Sequence, residues 1–144
     1  MELSSKSEYA LLALLELTTH YNGGEPLQIR QISAEQNIPD RYLEQLLATL
    51  RRSGLVRSQR GARGGYLLAK EPWKISILDV VTCIEGLDTQ PSTKQIPQST
   101  PGIVVHEIWQ EARQAADAVL SKYTLQDLAD QRDARQQLDI MYYI

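Results

Sequence analysis

The chain has a single cysteine among its 144 residues, which excludes an intramolecular disulfide framework. It has no run of 18 apolar residues, so no segment reads as a transmembrane helix. Its N-terminus lacks the basic-then-apolar pattern of a secretion signal, and a cytoplasmic location is expected. With two histidines and one cysteine, no His/Cys/Asp constellation falls at a catalytic or metal-ligand spacing. A phosphate-binding loop is missing as well, so no enzymatic function is expected. A basic excess is also lacking: the net charge is −3, at first sight wrong for a protein that meets nucleic acid.

What is present answers that last point. The six arginines 41, 51, 52, 57, 60 and 63 face one acid, Glu44, between residues 41 and 63, a local charge of +5 that leaves −8 for the remainder. A basic face on an acidic body steers DNA to one side. Within this region, Arg60-Gly61-Ala62-Arg63-Gly64-Gly65-Tyr66-Leu67-Leu68 sets two arginines in a glycine-rich turn between short apolar runs. Glycine permits positive φ and close approach to another surface, and the flanks read as a hairpin. A slim hairpin tip that carries guanidinium groups suits the groove of a duplex. The plainer alternative is a surface hairpin with solvated arginines.

The segment before the hairpin favours the first reading. Residues 27–55 read as two helices. The first carries Ile29, Ile32 and Ala34 through Gln36; Asn37-Ile38-Pro39-Asp40 breaks it, because proline disfavours helix in the residue before it. The second starts near Asp40, with Tyr42, Leu43, Leu46, Leu47 and Leu50 at helical spacing and Gly54 at its end. Its outer face carries Arg41, Glu44, Gln45, Ala48, Thr49 and Arg52, side chains able to read base edges in a major groove. Two short helices and a basic hairpin, in that order, make a helix-turn-helix with a wing.

The remaining elements follow from the same signals. A first helix is expected over about Ser5 to Tyr21, with Ser5 and Glu8 spaced as a capping box. A helix after the wing starts behind Ser76, with Asp79 three residues on, and ends at Gly86. Residues 87–101, with three prolines, read as a mobile loop. A long helix from about Gly102 to Lys122 lines up Val105, Ile108, Trp109, Ala112, Ala115, Ala116 and Val119, with Tyr123 just beyond it. This stripe packs either on its own domain or on a second helix, which the alanines would let approach closely. Thr124 and Asp127 cap a final short helix through about Asp133. The apolar tail 138–144 is expected to dock on the protein or on a partner subunit.

Tyr42-Leu43-Glu44-Gln45-Leu46-Leu47, Gly54-Leu55-Val56, Ser58, Arg60-Gly61 and Gly64-Gly65-Tyr66-Leu67-Leu68 together resemble the Rrf-type winged-helix transcription regulators, the family of IscR-, NsrR- and CymR-like proteins. Leu3 to Ala10 and Ile77-Leu78-Asp79-Val80-Val81 with Glu85-Gly86 fit the same family. The resemblance covers residues 1–86 closely and 102–123 more loosely. It implies a sequence-specific DNA-binding regulator, a repressor acting as a homodimer on a palindromic operator. The fold class expected is mainly α with a small β-wing. Residues 1–86 form the DNA-binding domain, with the helix-turn-helix at about 28–53 and the wing at about 55–69. Residues 87–101 form an effector loop, and 102–144 a dimerisation helix with a C-terminal arm.

Carried over by position, the resemblance puts Arg41, Tyr42, Glu44 and Gln45 on bases and phosphates. Arg41 is the guanine reader, and Glu44 an acceptor from cytosine or a repellent of wrong sequences. Arg60 is the minor-groove arginine, and Gly61 and Gly64 of the tip count with it among the DNA-binding residues. Arg63, Gln28 and Ser58 are phosphate contacts, and Tyr42 is equally a core residue. Val105, Ile108, Trp109, Ala112, Ala116, Val119 and Tyr123 form the dimer interface.

The sensing side departs from the family's cluster-binding members. They carry three cysteines between the post-wing and long helices; here Leu87 to Val105 has none. Thiolates are what hold such clusters, so no iron–sulfur cofactor is expected. Three candidates remain. Cys83 is a packed structural residue or else a redox thiol. His106 matches the family's fourth ligand in its His-x-x-Trp setting or is a packing residue. Glu8 matches a carboxylate ligand or is a helix cap. A small effector or a partner enzyme could supply the signal instead, as in the cysteine-metabolism branch. The alternatives to the main reading are a redox or metal sensor with unusual ligands and a winged helix turned to protein contacts.

Overall fold

The computed structural model describes residues 3–86 and 99–142. Its core is built around α1 (Ser5–Thr19), whose Ala10, Ala13, Leu14 and Leu17 are buried in one cluster with residues of the later elements up to Val80 and with Leu125. The helix is capped one residue earlier than expected: Ser4 is the N-cap and its Oγ accepts from the Ser7 N–H at 3.1 Å. Glu8 lies a position too far to close a capping box and is exposed. The helix also stops at Thr19 rather than Tyr21. Thr18 and Thr19 turn their hydroxyls back to the Leu14 and Leu15 carbonyls, and Tyr21–Gly23 tightens into a 3₁₀ turn closed by Gly24 at φ 68°.

Helices α2 (Ile29–Gln36) and α3 (Asp40–Arg52) form the expected pair. Asn37 takes the left-handed conformation, φ 54°, that ends α2, a role its short polar side chain tolerates. Ser33 Oγ donates to the Ile38 carbonyl at 2.6 Å and holds the turn closed. Leu43, Leu46, Leu47 and Leu50 bury one face of α3. Its end is a Schellman turn: Gly54, φ 80°, follows the helix, with Leu55 N–H on the Leu50 carbonyl and Gly54 N–H on the Arg51 carbonyl, both at 3.0 Å.

Strands β1 (Val56–Gln59) and β2 (Gly65–Leu68) pair antiparallel, Val56 opposite Leu68 and Gln59 opposite Gly65. Residue Leu27 adds a third rung, its backbone exchanging hydrogen bonds of 3.0 and 2.8 Å with Tyr66. A Cβ on Gly65 would run into the Leu27 carbonyl, so only glycine lets the hairpin lie this close to the start of α2.

Helix α4 (Ile77–Glu85) begins with the expected reciprocal cap between Ser76 and Asp79. The effector loop expected at 87–101 falls, for residues 87–98, outside the described residues. Its end is helical: α5 runs Thr100–Lys122, capped by Ser99, because Pro101 suits the first turn, where no N–H bond is needed. Helix α6 spans Leu125–Tyr142. Thr124 and Asp127 cap its start as expected, yet it continues well past Asp133, since nothing from Gln131 to Tyr142 breaks a helix. The described part of the apolar tail does not dock on its own chain: Leu138, Ile140, Met141 and Tyr142 are exposed as the last turns of α6. At its root α6 is stitched to the body by Ile77 N–H to the Tyr123 carbonyl and Leu125 N–H to the Ile75 carbonyl. Arg132 Nη1 also donates to Thr19 Oγ1 at 2.7 Å.

Candidate nucleic-acid interface

Helix α3 turns its leucines inward and leaves Arg41, Glu44, Gln45 and Arg52 exposed, with Ala48 and Thr49 half-buried between them. Tyr42 divides between the two roles allowed it. It is half-buried, its ring edge-on to Tyr9 with centroids 5.4 Å apart, and it borders the outer face beside Gln45.

The loop of residues 60–64 forms the wing tip. Arg60, Gly61, Ala62 and Arg63 are exposed. Gly61 takes φ 113°, and the Gly64 N–H bonds to its carbonyl at 2.9 Å. Gly64 itself is buried, and a Cβ there would meet the Gln59 carbonyl. Its task is therefore steric, to let the tip turn; it offers no surface to DNA. Ser58 and Gln28, read as phosphate contacts, already have protein partners: Arg51 Nη1 donates to Ser58 Oγ at 3.2 Å, and Arg30 Nη2 to Gln28 Oε1 at 3.3 Å.

Two groups escaped the sequence reading. Arg30 is exposed in the first turn of α2, which a charge count beginning at Arg41 passes over. Glu85, at the end of α4, accepts from the Ser4 hydroxyl and, at 2.7 Å, from the Ser7 hydroxyl. These two hydrogen bonds, Ser4 first, hold its carboxyl below the ordinary range. No local pattern links residues so far apart in sequence, so this clasp has no sequence signal.

The proposed interface residues of α5 are uncovered. Val105 is 66% exposed, Ile108 61%, Trp109 64%, Val119 56% and Tyr123 40%. Ala112 is exposed and Ala116 half-buried. Among the described residues the large apolar side chains of this stripe are not buried against their own domain, the alternative left open above.

The three sensor candidates are not brought together. The Cys83 thiol is half-buried and turned toward the end of α3, donating to Ser53 Oγ at 2.8 Å, with the Thr49 carbonyl at 3.7 Å. His106 is exposed in a shallow recess with Pro101, Gly102, Val105 and Trp109, and Glu8 is exposed on α1. Among the described residues no three His, Cys, Asp or Glu side chains approach closely enough to hold a metal ion.

This layout is matched by known proteins. Residues 3–131 fit the family model Rrf2, described as iron-dependent transcriptional regulator. The chain belongs to the Rrf2 family. The HTH-type transcriptional regulator CymR of Bacillus subtilis is 35% identical over 144 residues, the full length of both chains. IscR of Yersinia enterocolitica is 36% identical over 135 residues, 92% of this chain and 82% of the relative. Among solved structures, T. potens IscR superposes with a TM-score of 0.79 at 33% identity, covering 94% of this chain and 91% of that one. CymR of B. subtilis does so with 0.77 at 35%, covering 90% and 97%. This Rrf2 protein is a DNA-binding transcription regulator with a helix-turn-helix fold, not an enzyme. The iron in the family's description finds a poor donor set here. The chain carries one cysteine, fewer than the several thiolates that ordinarily hold an iron–sulfur cluster.

Proposed function

We propose that the protein is a homodimeric repressor, working in the cytoplasm, that reads a palindromic operator without a three-cysteine iron–sulfur cluster. Residues 1–86 are its DNA-binding part, and 102–144 carry the dimer helix and arm. The observation that carries this reading is the joint exposure of Arg41, Glu44 and Gln45 on α3 and of Arg60 and Arg63 at the wing tip. Between them lies a short, braced connection rather than a free linker. Helix α3 lies in the major groove, where Arg41 can pair with guanine and Glu44 can accept from a cytosine amino group. Arg60 enters the neighbouring minor groove, and Arg63 with Arg30 neutralises phosphates.

Two heads related by a twofold axis read half-sites about one helical turn, or a small multiple, apart. The exposed stripe Val105, Ile108, Trp109 and Val119 of α5 supports pairing through that helix. The signal is a small effector or a protein partner that alters the relation of the two heads, because operator spacing is sensitive to it.

Selection of bound duplex from a random pool, using protein assayed for iron and zinc, tests this. A palindrome enriched by metal-free protein is expected; enrichment only by iron-loaded protein would overturn the cluster-free reading. On the selected duplex, Arg60→Ala weakens binding to all sequences and lowers the salt slope by about one, whereas Arg41→Ala relaxes preference at one base position. If both variants bind like the parent at 150 mM salt, the docking model is wrong.

A further inference from the structure

The wing hairpin is secured unequally. Strand β2 is flanked on both sides, by β1 and by the Leu27 backbone, whereas among the described residues β1 pairs only with β2. Along β1 alternate side chains share a face, and the burial follows that rule at its start: Val56 is buried toward the core and Arg57 exposed. Ser58 stands on the Val56 face, one step nearer the tip. There Arg51, in the last turn of α3, reaches across and donates from Nη1 to Ser58 Oγ at 3.2 Å. This is the one side-chain hydrogen bond among those of the described residues that joins the recognition helix to the wing.

We propose that Arg51 is a positioning residue for DNA docking: its guanidinium, tied to Ser58, sets the pitch of the wing relative to α3. This rests on the docking reading above. Arg60 sits two residues beyond Ser58, so a change in the lean of β1 moves it directly. If α3 and the wing must enter adjacent grooves together, a brace between them lowers the ordering cost at binding, which is how preorganisation raises affinity. The rival role is an ordinary phosphate contact, since a guanidinium has donors to spare. The two roles differ in what they predict for Ser58, a neutral side chain.

The test measures affinity against salt concentration for the parent, Arg51→Ala, Ser58→Ala and the double variant, on the duplex that the parent selects from a random pool. Both partners are exposed, so thermal unfolding midpoints are expected to stay together. Each single variant should lose about 3- to 10-fold in affinity, the range of one hydrogen bond. The salt slope of Ser58→Ala should equal the parent's, and the double variant should lose no more than the worse single one. In the Arg51→Ala background, Arg60→Ala should cost less than it does in the parent. A phosphate role is revealed, and the proposal overturned, if Arg51→Ala lowers the slope by about one while Ser58→Ala binds like the parent. Two single variants that both match the parent overturn it too. A parent that enriches no duplex overturns the docking reading itself, and the proposal with it.

Discussion

Helices α3 and α5 are both amphipathic, but they have met different fates within this chain. Helix α3 hides four leucines against α1, α2 and α4 and shows its polar face. Helix α5, nearly twice as long, buries no residue at all and leaves Ile103, Val104, Val105, Ile108, Trp109 and Val119 exposed. The reading head therefore buries its apolar face within one chain, whereas α5 leaves its apolar face uncovered, the face that the proposed dimer would cover. A contiguous exposed apolar face marks a surface that another surface covers, and a second copy of the same helix would offer a matching stripe.

The largest expected effect comes from separating the two halves of that contrast. Ile108→Glu combined with Trp109→Glu should convert a dimer to a monomer in sedimentation equilibrium. Operator affinity should fall by about 10²–10⁴-fold, because the second head no longer binds at high effective concentration. The reading head should stay folded, since neither side chain contributes to its core. A double variant that remains dimeric would show that α5 is not the interface.

A sharper form of the comparison truncates one apolar side chain to alanine on each helix. Leu47→Ala removes a fully buried side chain and should cost about 2–5 kcal/mol in urea unfolding. In the monomeric background, Val119→Ala should change stability by no more than about 0.5 kcal/mol, as exposed substitutions usually do. Comparable losses at both sites would mean that α5 packs on its own domain after all.

The contrast also explains how far the sequence could be read. The helix-turn-helix and wing were legible because local rules decide them: the leucine spacing of α3, Pro39 and Asn37 at the turn, Gly54 after the helix, and glycines 61, 64 and 65 around the tip. The exposed face of α3 and the arginines at the tip followed from the same periodicity. What failed depended on distant partners. Ser4 displaces Ser5 as the cap of α1 because Glu85, contributed by another helix, gathers the hydroxyls of Ser4 and Ser7. The partners that Gln28 and Ser58, expected as phosphate contacts, find in Arg30 and Arg51 were likewise not recognisable in one dimension. The length of α6 was underestimated because its apolar last turns suggested docking, whereas its polar middle simply continues the helix.

The Glu85 clasp gives the smallest effect and ties the end of α4 to the start of α1 inside the reading head. Its carboxylate faces the first turn of a helix, where negative charge is favoured, and the Ser4 and Ser7 hydroxyls stabilise the ionised form, lowering its pKa. A carboxylate whose folded value lies below its unfolded one adds stability that is fully present above the unfolded value, near 4.5. That contribution is lost as pH falls through the folded value. Glu85→Gln retains the shape and removes the charge, so at pH 7 it should cost about 0.5–1 kcal/mol, a modest figure because the group is partly solvated. The gap between parent and variant in urea unfolding should then narrow as pH falls below about 4.5 and through the folded value. A gap that persists unchanged once Glu85 is protonated would mean that the loss comes from the amide's shape and not from the missing charge; no gap at any pH would mean that the Ser4 and Ser7 hydroxyls need only the carbonyl-type oxygen that glutamine also provides.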